Sequence, residues 1–415
     1  MELAPIFRKA YWFLAFAGLL YVLGVFSLTY PVVQRGALYV NHLNPSYWQD
    51  VNDVEYFGFL IAESQVQPFN IQTPDNETLY AWHILPPHVY QENEAALQAN
   101  APSGPAEDVT KTPAFKLLAE NPNARVVVNL HGNAAHIGSG FRPQIYRSIL
   151  AASTPEHPVH VIAFDYRGFG ISTGSPTEEG LITDSLAVLN YLTSAPLSIH
   201  PSRIALTGQS LGTAVASAVA ERYAFGNGNG DLTSSVPDAL AGVVLFASFS
   251  DLRTLLDSYS VGGILPPLLS ALIAYPKVQN YVLSHMLDTW DSAARLARLT
   301  GVKPLAGDAE SVQANQEFDL TVVHAANDFE IPWRNGRWLW EAAVGGANGH
   351  VLGNYVLDYQ SEDDVLQAKV WEKEVGSGKE KKVKRVRWER VRYGGHNEVA
   401  ATTAATVAII RIFEK

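Results

Sequence analysis

Residues Ile204-Ala205-Leu206-Thr207-Gly208-Gln209-Ser210-Leu211-Gly212-Thr213 decide the fold. The apolar run at 204–207 predicts a short buried strand, and the small residues from Thr213 to Ala220 predict a helix lying close against it. Between them Gly208-Gln209-Ser210-Leu211-Gly212 is a G-x-S-x-G pattern. A chain that passes from strand to helix in so few residues must turn sharply, holding Ser210 in strained backbone geometry with its hydroxyl exposed. The glycines two residues to either side leave room for close helix–strand packing. Ser210 also falls at a helix N-terminus, where the dipole favours developing negative charge.

Outward from this elbow, strand-like and helix-like runs alternate. Strands are expected at 68–73, 79–85, 125–130, 160–164, 204–207, 242–246, 320–324 and 386–392. Helical patterns fall near 139–152, 178–194, 211–225, 334–344 and 398–414. This alternation predicts an α/β fold, a mostly parallel eight-stranded sheet with helices on both faces. Runs such as Val126-Val127-Val128 and Val243-Val244-Leu245 suit strands buried on both sides. Three stretches interrupt the rhythm. Residues 88–122 read as a surface excursion, 251–318 as a lid inserted between core strands, and 345–385 as charged and turn-rich, with Gly376-Ser377-Gly378 able to close a hairpin. The acidic cluster Glu362-Asp363-Asp364 reads as a solvated face.

A serine nucleophile on such an elbow needs a base, an acid to orient it and two oxyanion donors, in the chain order Ser, Asp, His. The base is expected after the last strand, where Tyr393-Gly394-Gly395-His396-Asn397 places His396 on a glycine-rich loop. His350 lacks a preceding strand and His285 falls in the expected lid. The acid is expected past strand 320–324, which selects Asp328; Asp319 lies at the wrong end of that strand. One oxyanion donor is the N–H of Leu211, the residue after the nucleophile. The other comes from His131-Gly132-Asn133, with the Asn133 N–H first and Ala134 its neighbouring alternative. His131 and Asp165-Tyr166-Arg167-Gly168-Phe169-Gly170 read as structural, the latter with an Arg167–carboxylate pair; its spacing matches no metal or dinucleotide pattern. No cofactor and no metal site are expected.

Composition narrows the class. The 415 residues are 47% hydrophobic and 17% charged, a globular balance. A net charge of −11 argues against nucleic acid as a main partner. With no cysteine, disulfides, thiolate zinc sites and a cysteine nucleophile are excluded. Residues 10–33 hold no charged side chain and, as a helix, would run about 36 Å against a hydrocarbon core of ~30 Å. Tyr11, Trp12 and Tyr30 mark its ends. The expected organisation is a tail and membrane anchor at 1–35, a connector at 36–67 and the catalytic domain at 68–415. Arg8 and Lys9 before the span against Arg35 after it point to a lumenal or extracellular domain, as does the sequon Asn76-Glu77-Thr78.

The ordered motifs HGN at 131–133, FDYRGFG at 164–170, GQSLG at 208–212, HAANDFEIP at 324–332 and GGHNE at 394–398 resemble those of membrane-anchored α/β-hydrolase-domain lipases, in the branch of lysophosphatidylserine lipases, monoacylglycerol lipase-like enzymes and their fungal relatives. The resemblance spans about residues 68–414 and the anchor. It implies the α/β-hydrolase fold, Ser210 as nucleophile, Asp328 as acid, His396 as base, no cofactor, and an anchored enzyme of the endoplasmic reticulum with a lumenal site. The expected activity is hydrolysis of single-chain lipid esters, monoacylglycerols or lysophospholipids, through an acyl-enzyme. The alternatives are a serine peptidase or small-ester hydrolase, and an inactive scaffold that binds. The stretch 262–269 is a candidate lining for an acyl tunnel. Oligomeric state is not encoded in these features.

Overall fold

The computed structural model describes residues 5–43, 48–59, 62–99, 104–225, 238–263, 269–302, 317–346, 354–375 and 382–414. Its strands are β1 (Val66–Gln72), β2 (Thr78–Ile84), β3 (Arg125–Leu130), β4 (Val159–Phe164), β5 (Ile204–Gln209), β6 (Gly242–Phe246), β7 (Phe318–Ala325), β8 (Asn354–Gln360), β9 (Gln367–Val375) and β10 (Lys382–Val391). All pair in one sheet, in the order β1-β2-β4-β3-β5-β6-β7-β10-β9-β8. From β4 to β10 every neighbour is parallel. The pairs at both margins are antiparallel.

The eight expected strands all form, but among the described residues the sheet has ten strands rather than eight. The two additions, β8 and β9, lie within the charged 345–385 stretch. Their side chains are mostly at the surface, so no apolar alternation marked β8, whose seven residues are all exposed. β9 is anchored by the buried Val370 and Trp371, against β10's Val386 and Trp388. The Gly376-Ser377-Gly378 turn, and His350, lie outside the described residues.

The central strands are buried on both faces, which is why they read as continuous apolar runs. Two apolar layers flank them. One is built on Leu206, Val215, Val219 and Leu245, the other on Val127, Ala205, Val244 and Ile409. The helix Leu211–Phe225 follows the elbow directly, and its first ten residues are buried.

The 10–33 span is not one helix, which corrects the expected boundary. A 23-residue apolar helix runs Pro5–Ser27, and only Val25 in it is buried. It is long and apolar enough to cross a membrane. Tyr30 is extended (φ −94°, ψ 130°), and a second helix begins at Pro31 and ends at Tyr39. Proline forces this break, because it disfavours helix in the preceding residue and is best placed at a helix start. The stretch expected as a connector packs into the body of the molecule: Tyr39, Val51, Val54 and Phe57 are buried. Of the expected lid, helices Leu252–Ser258, Pro276–Ser284 and Ser292–Thr300 are described; 264–268 and 303–316 lie outside the described residues.

Candidate active site

β5 ends at Gln209, and Ser210 turns the chain with φ 54°. A non-glycine residue in this left-handed region costs on the order of 1–3 kcal/mol, so the surroundings must enforce it. They do so through close approach. A Cβ on Gly208 would lie 2.2 Å from the Gly212 carbonyl oxygen, and one on Gly212 would lie 1.9 Å from that of Leu130. Both glycines of the elbow are therefore steric requirements. The Ser210 N–H is taken by the Phe246 carbonyl at 3.1 Å.

His396 comes from the loop after β10. Its Nε2 lies 3.0 Å from Ser210 Oγ, and its Nδ1 lies 3.0 Å from Asp328 Oδ2. The carboxylate accepts, so Nδ1 carries a proton and Nε2 is left to accept from the serine hydroxyl. Two contacts fix the loop: Gln209 Nε2 donates to the His396 carbonyl at 3.1 Å, and Gly395 N–H donates to Asn327 Oδ1 at 2.9 Å. The residue before the nucleophile and the residue before the acid thus both hold the histidine loop.

Asp328 is buried and accepts the N–H groups of Glu330 and Ile331 at 3.0 and 2.9 Å. Burial alone would raise its carboxyl pKa, but the hydrogen bonds from His324 and His396 outweigh it and hold the group well below the usual carboxylate range. His324 is the member that sequence reasoning missed. It sits on β7 as an apparent core residue, and only its spacing of four from Asp328 hinted at contact. The carboxylate form of Asp328 is thus favoured where His396 Nδ1 meets it.

The loop after β3 runs against this group. Asn133 lines the cavity that contains Ser210 and Leu211. The Ala134 N–H is taken by the Tyr39 carbonyl at 2.9 Å and the Ala135 N–H by that of Leu43 at 3.0 Å. Ala134 is thereby removed as the alternative donor. Among the described residues the Asn133 N–H has no acceptor. Leu211, first in its helix, has no acceptor one turn back. His131 is buried behind the loop, its Nδ1 2.6 Å from the Gly132 carbonyl oxygen, its ring 4.3 Å from that of Tyr166. Arg167 pairs with Asp184 and Asp75, each at 2.7 Å. Those two motifs support the site from outside. Among the described residues no cluster of His, Asp and Glu has metal-binding form.

Two chambers open from Ser210. One, of about 240 Å³, is lined mainly by aliphatic side chains: Leu28, Leu38, Leu252, Leu255, Leu256, Leu269, Val282, Met286 and Ile331. Part of its wall belongs to the cluster in which Val25 of the apolar helix packs with Leu269, Leu272 and Val282. The other, of about 320 Å³, also reaches His396 and is the more polar, lined by Gln209, Arg142, Glu330, Ser139 and Asn397 together with Phe141 and Ile145. A hydroxyl within reach of an imidazole, a carboxylate behind the imidazole and N–H groups before it can together carry out acyl transfer.

This is the fold of an α/β hydrolase. The chain belongs to the alpha/beta hydrolase family, whose family model matches residues 127–408. Within it, the chain is similar to lysophosphatidylserine lipases. It is 24% identical to that of Mus musculus over 343 residues, 81% of this chain and 72% of the mouse protein. It is 27% identical to that of Danio rerio over 223 residues, 54% of this chain and about half (49%) of the zebrafish protein. An alpha-beta hydrolase from Vibrio vulnificus shares the fold, with a TM-score of 0.51, 15% identity, and coverage of 100% of this chain and 95% of that one.

Proposed function

We propose that the protein is a membrane-anchored serine hydrolase that cleaves carboxylic esters of single-chain lipids, monoacylglycerols or lysophospholipids, through an acyl-enzyme. The observation that carries the reading is the pair of unlike chambers meeting at Ser210. The aliphatic chamber suits one acyl chain, and the polar chamber beside His396 suits the alcohol that leaves. His396 takes the Ser210 proton as Oγ attacks the ester carbonyl. The oxyanion lies between the N–H groups of Asn133 and Leu211. His396 then protonates the departing alcohol, and the acyl-enzyme is hydrolysed by water that His396 activates. The similarity to lysophosphatidylserine lipases supports a lipid ester as substrate.

The helix Pro5–Ser27 serves as the anchor, residues 68–415 as the hydrolase domain and 251–318 as a lid over it. The cluster joining Val25 to Leu269 and Val282 supports an acyl chain entering from the bilayer side. The body lies on the lumenal side, in the endoplasmic reticulum. Asn76, exposed in the β1–β2 turn, is accessible for the glycosylation this implies.

Labelling with a fluorophosphonate probe tests the mechanism. Wild type should label and Ser210→Ala should not, and monoacylglycerol or lysophospholipid should compete where peptides do not. Absence of wild-type labelling would favour a binding scaffold, and competition by peptides a peptidase. Glycosidase treatment of the protein made in eukaryotic cells should shift its mobility through Asn76.

A further inference from the structure

Residues 132–136 adopt a conformation that their own sequence does not favour. Ala134 and Ala135 both have positive φ, 61° and 56°. Two consecutive alanines in the left-handed region make a sparsely populated turn that the surroundings must hold. Such a conformation persists only if something gathers the carbonyls.

One side chain does so. Arg142, at the start of the helix Arg142–Leu150, directs Nη2 at the carbonyl oxygens of Gly132 (3.0 Å), Asn133 (3.0 Å) and Ala134 (2.8 Å), while its Nη1 donates to that of His136. Its two terminal nitrogens thus serve four carbonyls of a single loop, and no carboxylate is paired with it among the described residues. On the opposite side the carbonyls of Tyr39 and Leu43 hold the next two N–H groups. The Asn133 N–H is left without an acceptor among the described residues beside the chamber that Ser210 also lines, and its peptide's carbonyl oxygen, that of Gly132, accepts from Arg142 and lies 2.6 Å from His131 Nδ1. The loop packs directly on the elbow: a Cβ on Gly132 would lie 2.7 Å from Gln209 Oε1 and in van der Waals contact, at 3.4 Å, with Ser210 Cβ.

We propose that Arg142 is a positioning residue for the oxyanion hole: its guanidinium gathers the carbonyls of residues 132–136, and so aims the Asn133 N–H at the oxyanion formed on Ser210. The inference rests on the serine-esterase reading. A planar fork with several donors is the group suited to this task, and a lysine, with one nitrogen, is not its equivalent. Because the aimed donor acts on charge that exists only in the transition state, its loss falls on kcat and spares KM.

The test uses the full chain with a monoacylglycerol of fixed chain length and a fluorophosphonate. For Arg142→Gln, kcat should fall about a hundredfold, the order seen when one oxyanion donor is lost. KM should stay within threefold, and phosphonylation of Ser210 should slow in parallel. Arg142→Lys should recover part of kcat at unchanged KM. A folded Arg142→Gln with kcat within threefold of wild type, or a loss carried by KM, overturns the proposal. Should Arg142→Gln fail to fold, Arg142→Lys decides alone: about tenfold lower kcat supports the role, and wild-type kcat refutes it. If Ser210→Ala still labels, the esterase reading itself has failed, an outcome distinct from any behaviour of the Arg142 variants.

Discussion

His324 Nε2 lies 3.2 Å from Asp328 Oδ2, the same oxygen that His396 Nδ1 approaches at 3.0 Å. The Ile331 carbonyl oxygen is also 2.9 Å from His324 Nε2. Both neighbours accept, so the proton of His324 is on Nε2 and the carboxylate has two imidazole donors on one oxygen. A hydrogen bond to a charged group contributes about 1.5–3 kcal/mol. At 3.2 Å this one belongs at the lower end. His324→Ala should therefore lower kcat about tenfold with KM within threefold. Asp328→Asn, which removes the anion and disturbs the tautomer of His396, should cost roughly 10⁴-fold. Steady-state kinetics on both variants check the ranking; equal losses would mean that His324 and the acid act as one unit.

The elbow makes a sharper prediction about folding. Gly212→Ala places a methyl 1.9 Å from the Leu130 carbonyl oxygen, backbone that cannot yield without moving β3. Overpacking of this kind costs typically 1–3 kcal/mol and here more. Gly140→Ala is the control, with φ 59° but nothing within 4 Å of the added Cβ. It should lose only about 1 kcal/mol from strain. Thermal denaturation should show a large drop or no cooperative transition for Gly212→Ala and a small drop for Gly140→Ala. Equal melting temperatures would contradict the steric account.

The residues brought together at Ser210 were legible where local chemistry demanded them. A strand-to-helix elbow tolerates few sequences, and the histidine and acid loops each follow a strand whose apolar run announces it. What stayed illegible depended on distant contacts. His324 resembles any buried strand residue until Asp328 folds back on it. Arg142 stands at the start of an ordinary helix, and only the shape of the 132–136 loop gives it a task. β8 has no buried side chain to impose a period. Tyr39 looked like linker because its partner, Asp288, is 249 residues away. The helix break before Pro31 was readable from that proline, and the uniform hydrophobicity of 10–33 hid it.

Asp165 is fully buried behind the loop that follows β3. Burial pushes its pKa up to about 7, against the pull of Arg142 and of the Ile137 N–H that it accepts at 2.8 Å. A carboxyl whose folded pKa exceeds its unfolded value near 4 stabilises the fold fully below pH 4, and loses that contribution as pH rises through 7. The slope is roughly 1.4 kcal/mol per pH unit inside that window. Asp165→Asn keeps an acceptor for Ile137 but cannot ionise. Chemical denaturation from pH 4 to 8 should show wild-type stability falling relative to Asp165→Asn between pH 4 and 7, with a constant gap above. A gap independent of pH would mean that Asp165 is ionised throughout.

The aliphatic chamber predicts a chain-length preference that one substitution should shorten. Met286 lines the chamber and packs on the Val25–Leu269–Val282 cluster, at the end reached by the apolar helix. Met286→Trp adds a rigid ring there and leaves Ser210, His396 and the polar chamber untouched. Each methylene excluded from an apolar wall forfeits about 0.8 kcal/mol, close to fourfold in kcat/KM. A long acyl chain that loses three such contacts should therefore react about sixtyfold more slowly, while a chain too short to reach Met286 should keep its kcat/KM within threefold. Because the substitution also enlarges a packed cluster, the melting temperature is read alongside. A loss equal for all chain lengths would place the acyl chain elsewhere; a graded loss that sets in at one length would measure how far the chamber extends from Ser210.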